Sequence, residues 1–358
     1  MTNAYEKITV DILSSSSASV ELTREILMAP NVVAQEGYAL VVKLLDDKET
    51  YNKVETSDGE FVTYKKGDVL VGALGERQAL RGYSGIIPRL IRQGDILNIL
   101  NMGGIIGHCQ SPHPDFGPAM RVEVLGAVMI PDGNIYKHAC IQDFAIEWEY
   151  SLEKSVPLIA VTGTCMNVGK TLAATRIVEY LAKKGYRIGA AKLTGASLKR
   201  DVRSMLNAGA AACIDFSSAG LVSTTGKNIL PMAKGLLTHL NKEENLDAII
   251  LEFGDGIIGA YGVDSLLMDK EIQQHIASHV VAAQDFMGCW AADNFFRKRY
   301  SREIDVITGP VTDNLVGIQF LQNTMGIRAI NGMADPEQLG AYVEQNVFNR
   351  KPKTEDFF

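Results

Sequence analysis

The chain has little of what marks secreted, membrane-spanning or nucleic-acid-coating proteins. Five cysteines are scattered through 358 residues (Cys109, Cys140, Cys165, Cys213, Cys289), an odd number with no CxxC pair. That excludes a disulfide framework and a zinc ribbon, and makes the reduced cytoplasm the natural compartment. No run of about 18 apolar residues occurs, and the opening MTNAYEKITVDIL lacks a basic stretch followed by an apolar one. Neither a membrane span nor a secretory signal is expected. Basic residues are outnumbered, 35 against 42 acidic, so the formal charge of −7 gives no global field for nucleic acid or an anionic bilayer. What remains is an ordinary globular composition, 46% hydrophobic and 22% charged, in a chain long enough for two domains.

From Lys7 to Tyr150 the sequence offers short apolar or β-branched runs between turn signals: VVAQEGYALVVKLL, DGEFVTYKKGDVLVGAL and RVEVLGAVMIPDGNIY. These read as strands and hairpins, with Asp132-Gly133 a tight turn and Ser14–Ser19 a polar loop or helix start. After Pro157 the texture changes to alternating strand and amphipathic helix: LIAVTG, KTLAATRIVEYLAKKG, YRIGAAKLTG, a helix through RSMLNAG, then LDAIILEFG, SHVVAAQD, IDVITGP, IRAING and DPEQLGAYVEQNV. That βα rhythm predicts a parallel sheet. The expected fold is therefore α/β, with residues 153–350 a parallel sheet with flanking helices, preceded by a smaller mainly β domain over 1–152. The charged tail 349–358 is expected to fray.

The segment LIAVTGTCMNVGKTLAAT runs strand, glycine loop, helix. Glycines at 163 and 169 let successive backbone N–H groups turn inward around phosphate oxygens, where side chains would obstruct. Lys170 then supplies a point charge for β and γ phosphates, Thr171 a hydroxyl for Mg2+, and the helix N-terminus a favourable dipole. The binding stretch is Gly163, Thr164, Cys165, Met166, Asn167, Val168, Gly169, Lys170, Thr171 and Leu172. Five residues rather than four separate the two glycines, so the loop is longer by one than GxxxxGK[ST].

Gly163-Thr-Cys-Met-Asn-Val-Gly169-Lys170-Thr171 resembles the lengthened P-loop of dethiobiotin synthetase and its relatives in the MinD-like class. It is also similar to the loop of a P-loop family that includes D-amino-acid N-acetyltransferases. The likeness spans about residues 156–335 and does not reach the β region. It implies a P-loop nucleotide fold and a homodimer. Cys165 stands where dethiobiotin synthetases carry Asp, which argues against that namesake reaction.

Carboxylates at the carboxyl ends of neighbouring parallel strands are where Mg2+ is expected. Glu252 ends the strand LDAIIL and precedes Phe253-Gly254-Asp255-Gly256. It resembles the Val-Glu-Gly element of dethiobiotin synthetase, whose Glu binds metal, and Asp255 could share the role. Asp201 matches either that family's second metal-binding Asp or an ordinary helix cap. Lys192, among small and apolar residues at a strand end, is costly to bury unless it meets an anion. The resemblance gives it a phosphate and substrate role, with Thr194 and Ser197 as hydroxyl donors. Asn314 or Asp313 is a candidate for contacting adenine. Asp215–Gly220 and Ser223–Gly226 are either a substrate loop or plain turns. The glycine-arginine-tyrosine stretch Gly72–Gly85 binds an anion or partner, or simply turns. GHCQSPHPDFG, with His108 and His113, reads as a Pro-bounded loop.

The leading expectation is a Mg-ATP-dependent small-molecule ligase or kinase. Lys170 and Lys192 are its catalytic cations and Thr171, Asp201 and Glu252 its Mg2+ ligands. One alternative is an N-acyltransferase gripping coenzyme A in the same loop; another is an ATPase switch acting on a protein partner.

Overall fold

The computed structural model describes residues 5–243 and 245–349. The chain divides into two compact units. The first comprises Met1–Glu147, Gly195–Arg200 and Asp215–Lys227; the second comprises Trp148–Thr194, Asp201–Ile214 and Asn228–Phe358. The first piece ends at Glu147 rather than 152, and the unit takes two later segments that the sequence reading left with the second. Those segments belong there because they pair and pack there. Ala196 bridges Ser223, Ser197 N–H donates to the Val222 carbonyl at 2.9 Å, and Asn101 Nδ2 donates to the Ser197 carbonyl at 2.7 Å. Val222 joins the apolar cluster of Val71, Leu100 and Ile105. Apart from Asn349, the tail 349–358 lies outside the described residues.

The first unit is built on an eleven-stranded, largely antiparallel sheet whose path runs Ile12–Leu13, Val69–Ala73, Ala39–Leu44, Arg121–Asp132, Ile96–Ile99, Ile106–Ser111, Ser84–Ile86, Arg77–Gln78. Successive side chains of a strand face opposite ways. Val41 accordingly enters one core with Val71 and Val128, while Leu40, Val42 and Leu44 enter another with Leu70 and Val122. Arg121–Asp132 shifts register between Val124 and Gly126, a bulge that changes which face its later residues present. The Asp132-Gly133 turn forms as expected, with Asp132 opposite Ile135. Ser15–Val20 is a 3-10 helix in which Ser15, Ser16 and Ser17 are buried. Their hydroxyls are occupied: Ser16 Oγ donates to the Gly104 carbonyl and accepts from Ala73 N–H, both at 3.0 Å.

The second unit is the α/β part. Its six-stranded sheet has the order Ala212–Asp215, Ile188–Thr194, Ala248–Phe253, Leu158–Gly163, Ile276–Ala282, Val306–Thr308. Pairing from Ile188–Thr194 through Val306–Thr308 is parallel. Lys170–Lys183 is the helix after the glycine loop; Ala173, Ala174, Ile177, Val178 and Leu181 recur at helical spacing and bury against Ile159, Val161 and Ile250. The last helix, Pro336–Phe348, starts behind an Asp335 cap and lays Gly340 on Tyr180, where a Cβ would come within 2.2 Å of the ring carbon Cγ. Tyr180 and Tyr186 both donate to Glu344, at 2.9 and 3.1 Å. IRAING, expected as a strand, contributes only a single bridge, Ala329 to Ile307. Asn331 turns the chain there by accepting from Met333 and Ala334 N–H at 2.9 and 2.7 Å. Among the described residues no helix is long and apolar enough to cross a membrane.

Candidate functional site

The strand order sets the site. Leu158–Gly163 lies between Ala248–Phe253 and Ile276–Ala282, so the loop that follows it emerges beside the carboxyl ends of both. Register places Val161 opposite Glu252, and Glu252 opposite Lys192 on the next strand. Three residues far apart in sequence thus meet at one edge of the sheet.

The loop backbone takes two left-handed turns. Asn167 and Gly169 adopt left-handed φ values of 62° and 90°, alternating with residues of ordinary conformation in the manner of an anion-binding nest. Val168 between them is fully buried and anchors the turn. Gly163 leaves no room for a side chain: a Cβ would lie 2.8 Å from Val168 Cγ2 and 2.9 Å from Lys170 Cδ. The flanks are held as well. Thr164 N–H donates to the Ala282 carbonyl at 2.9 Å, Ile257 N–H to the Gly163 carbonyl at 2.8 Å, and Gln284 N–H to Thr164 Oγ1 at 3.3 Å. Gly256 and Gly288 let their backbones close on Thr164, and Gly309 does the same for Val168. Gly256 belongs to the glycine turn expected after Glu252, whereas the support from Gly288 and Gly309 was not legible in the sequence.

Lys170 is buried, and its ammonium donates to the Cys165 carbonyl at 2.7 Å. Burial lowers its pKa, opposed by the charges of Glu252, Asp255, Cys165 and Asp201. Thr171 Oγ1 donates to Glu252 Oε1 at 2.5 Å, while the other carboxylate oxygen, Oε2, is buried with no hydrogen-bond partner. Burial, reinforced by the negative charge of Asp201, raises the Glu252 carboxyl from 4.5 to about 7 against the pull of Lys192, Thr171 and Lys170. Lys192 and Asp201, both buried, form an ion pair and a hydrogen bond. Asp255 sits at φ 71° in the turn after Glu252, its carboxyl pKa raised by burial and lowered by the Gly256 N–H and Lys170.

The expected site residues therefore fall into two groups. Lys170, Thr171, Lys192, Asp201 and Glu252 gather in one buried cluster beside the loop. Thr171 and Glu252 present hard oxygen donors with one carboxylate oxygen to spare, which suits Mg2+. Asp201, expected as a third ligand, is held by Lys192, and no group of three or more His, Cys, Asp or Glu side chains among the described residues could hold a metal. Asn314 does not present its carbonyl oxygen to a base; Oδ1 caps the helix Leu315–Asn323, accepting from Val316 N–H at 3.0 Å and Gly317 N–H at 3.4 Å. Asp313 accepts from Asn331 Nδ2 at 3.0 Å. Thr194 donates to the Gly254 carbonyl at 2.8 Å. Asp215, in the first unit, caps the short 3-10 helix after it, and His113 caps Pro114–Phe116.

No family model matches the chain, and no curated protein matches it. Solved structures are similar over part of its length. The cell division protein FtsY from Thermotoga maritima shares 14% identity over 58% of this chain and 73% of that one, with a TM-score of 0.36. Signal recognition particle 54 kDa protein from Aeropyrum pernix K1, solved with GDP, shares 17% over 54% of this chain and 50% of that one, at 0.35. Chloroplast FtsY from Physcomitrella patens shares 13% over 58% and 70%, at 0.37. None of these three is a dethiobiotin synthetase or a D-amino-acid N-acetyltransferase, and likenesses this distant carry no argument about function.

Proposed function

We propose that the second unit binds the Mg2+ complex of a nucleoside triphosphate and acts at its γ-phosphate. The observation that carries this reading is the buried, unpartnered Oε2 of Glu252, beside the hydroxyl of Thr171 and next to a glycine loop with left-handed turns at Asn167 and Gly169. A carboxylate oxygen so desolvated is destabilised unless a cation meets it. Thr171 and Glu252 are the residues that would hold Mg2+, which when bound supplies charge neutralisation on the phosphate oxygens. The loop amides and the Lys170 ammonium would bind and orient the phosphates, Lys170 exchanging the Cys165 carbonyl for a phosphate oxygen. Lys192, fixed by Asp201 beside Glu252, would balance charge on the transferred group. An acceptor carboxylate or hydroxyl makes this a ligase or kinase.

A second reading, a nucleotide switch acting on a protein partner, is favoured by a different observation. Phe286, Met287, Trp290, Leu315, Val316 and Phe320 are exposed large apolar residues on the helices after the next two strands, with the Phe286 and Phe320 rings 4.3 Å apart. Exposed apolar surface of this kind commonly meets another protein.

Thermal protection separates the possibilities. Mg-ATP or Mg-GTP should raise the melting temperature and EDTA should abolish the effect; at a hundredfold excess over Kd the gain is about 2.7 kcal/mol. Protection by coenzyme A instead, without Mg2+, would favour the acyltransferase alternative. Turnover that rises on adding a metabolite extract supports the enzyme, and turnover that rises only with a protein fraction supports the switch. No protection by any nucleotide overturns both.

A further inference from the structure

The nucleotide reading leaves the glycine-arginine-tyrosine stretch of the first unit unused. At its centre Arg77 is only 6% exposed. A guanidinium cannot shed its proton, so burial without an anion leaves a full positive charge poorly solvated. No carboxylate pairs with Arg77 among the described residues. Its two hydrogen bonds there both leave from Nη1, to the Leu100 carbonyl and to the Tyr51 hydroxyl at 3.2 Å. Nε is buried with no partner. The Nε–Nη2 edge, the fork that matches a planar carboxylate, is thus without an acceptor.

The surroundings are shaped around that charge. Tyr51 is held at φ 52°, a strained conformation for a bulky residue, and in it the phenol reaches Arg77. Its ring packs on Phe116 at 4.8 Å and edge-on to Tyr83 at 5.2 Å. Gly82 lies over the guanidinium: a Cβ there would stand 2.6 Å from Nη2. The nearby Lys48 ammonium is already taken by the Phe116 and Pro118 carbonyls.

We propose that the first unit contains a binding site for a small organic carboxylate, held bidentately by Nε and Nη2 of Arg77, with Gly82 over the guanidinium fixing its plane. One cation with one open fork balances a single negative charge, and the rings of Tyr51 and Phe116 offer an apolar setting for the rest of the molecule. A phosphate dianion would need a second cation, and the Lys48 ammonium already spends two of its three N–H groups on the Phe116 and Pro118 carbonyls.

Isothermal titration calorimetry of the full chain with acetate, succinate, benzoate and inorganic phosphate tests this. At least one carboxylate should bind, with phosphate weaker. Arg77→Met should weaken binding tenfold or more while folding at least as stably as the parent, because it removes an uncompensated buried charge. Gly82→Ala keeps the charge but pushes the guanidinium off its place, since the added Cβ would stand within 3.0 Å of Nη2, Cζ and Nη1, and should lose binding equally, which decides the matter should Arg77→Met not fold. Lys170→Ala should bind the carboxylate as the parent does, so the result stands apart from that of the nucleotide site. Absence of carboxylate binding up to about 10 mM, the weak end of specific affinity, overturns the proposal. So does preference for phosphate, or binding that survives both Arg77→Met and Gly82→Ala.

Discussion

Gly309 offers a direct test of whether the loop's shape is what binds nucleotide. It sits at φ 89°, and an added Cβ would lie 2.6 Å from the Val168 carbonyl oxygen and 3.1 Å from Ala283 N and O. With ψ at −169° this is a region almost confined to glycine, which costs another residue about 1–3 kcal/mol. The contacts add to this, because every atom met belongs to backbone and no flexible side chain can swing aside. Overpacking of that kind adds about 1–3 kcal/mol. Gly309→Ala should therefore destabilise the second unit by about 2–6 kcal/mol in sum. It should also push the Val168 carbonyl out of line between the Asn167 and Gly169 amides, weakening nucleotide binding about tenfold, or about 1.4 kcal/mol. Gly185 supplies the control: its φ is 94°, but an added Cβ meets nothing within 4 Å. Gly185→Ala should show only the conformational loss of about 1–2 kcal/mol, with affinity unchanged. Both tryptophans, Trp148 and Trp290, lie in the second unit, so their fluorescence during urea unfolding reports its stability directly. A fluorescent nucleotide titration reads the affinity. If Gly309→Ala binds as the parent does, or the two variants lose affinity equally, the link from loop geometry to phosphate binding is wrong.

Glu252 gives a pH signature. Its folded carboxyl is raised to about 7 from 4.5, so the folded state binds the extra proton between those values. The stability from this group is full below about 4.5 and is lost as pH rises through 7. Glu252→Gln should thus be more stable than the parent at pH 8 and no more stable at pH 4.5 by thermal melts, while Mg2+-dependent nucleotide binding disappears. Equal melting points at pH 8 would contradict the burial argument. Lys192→Met breaks the buried ion pair with Asp201 and should cost about 3–5 kcal/mol, whereas Lys192→Met/Asp201→Leu should recover most of it; urea curves of the two decide. Asn101→Ala removes its bonds to the Ser197 carbonyl and Ile105 N–H and should destabilise the first unit by about 1–3 kcal/mol in chemical denaturation.

The βα rhythm after Pro157 made the second unit's sheet legible, because each apolar run is followed by helix-spaced residues that must cover it. The glycine loop was legible for a related reason: glycine, lysine and threonine at a strand-to-helix junction answer one electrostatic need. That Glu252 lies beside Lys192 was not, since register between strands some sixty residues apart depends on strand order, which local pattern does not encode. The capping role of Asn314 was not legible either, because an amide at a helix start serves its own backbone as readily as a base. The helix start at the serine tract was legible, but the burial of Ser14–Ser17 was not, since it depends on distant carbonyls that receive their hydroxyls. IRAING has the composition of a strand, but Asn331 and Gly332 bend it away before a ladder can form.

The return of residues 195–200 and 215–227 to the first unit has a consequence during synthesis. When Glu147 leaves the ribosome, Gly75 still lacks Val222 beside it and Asn101 still lacks the Ser197 carbonyl. The amino-terminal sheet must wait, partly uncovered, until Lys227 has emerged. A fragment begun at Trp148 would carry two orphaned peptides whose hosts were left behind, so the molecule can be neither born nor cut as two halves.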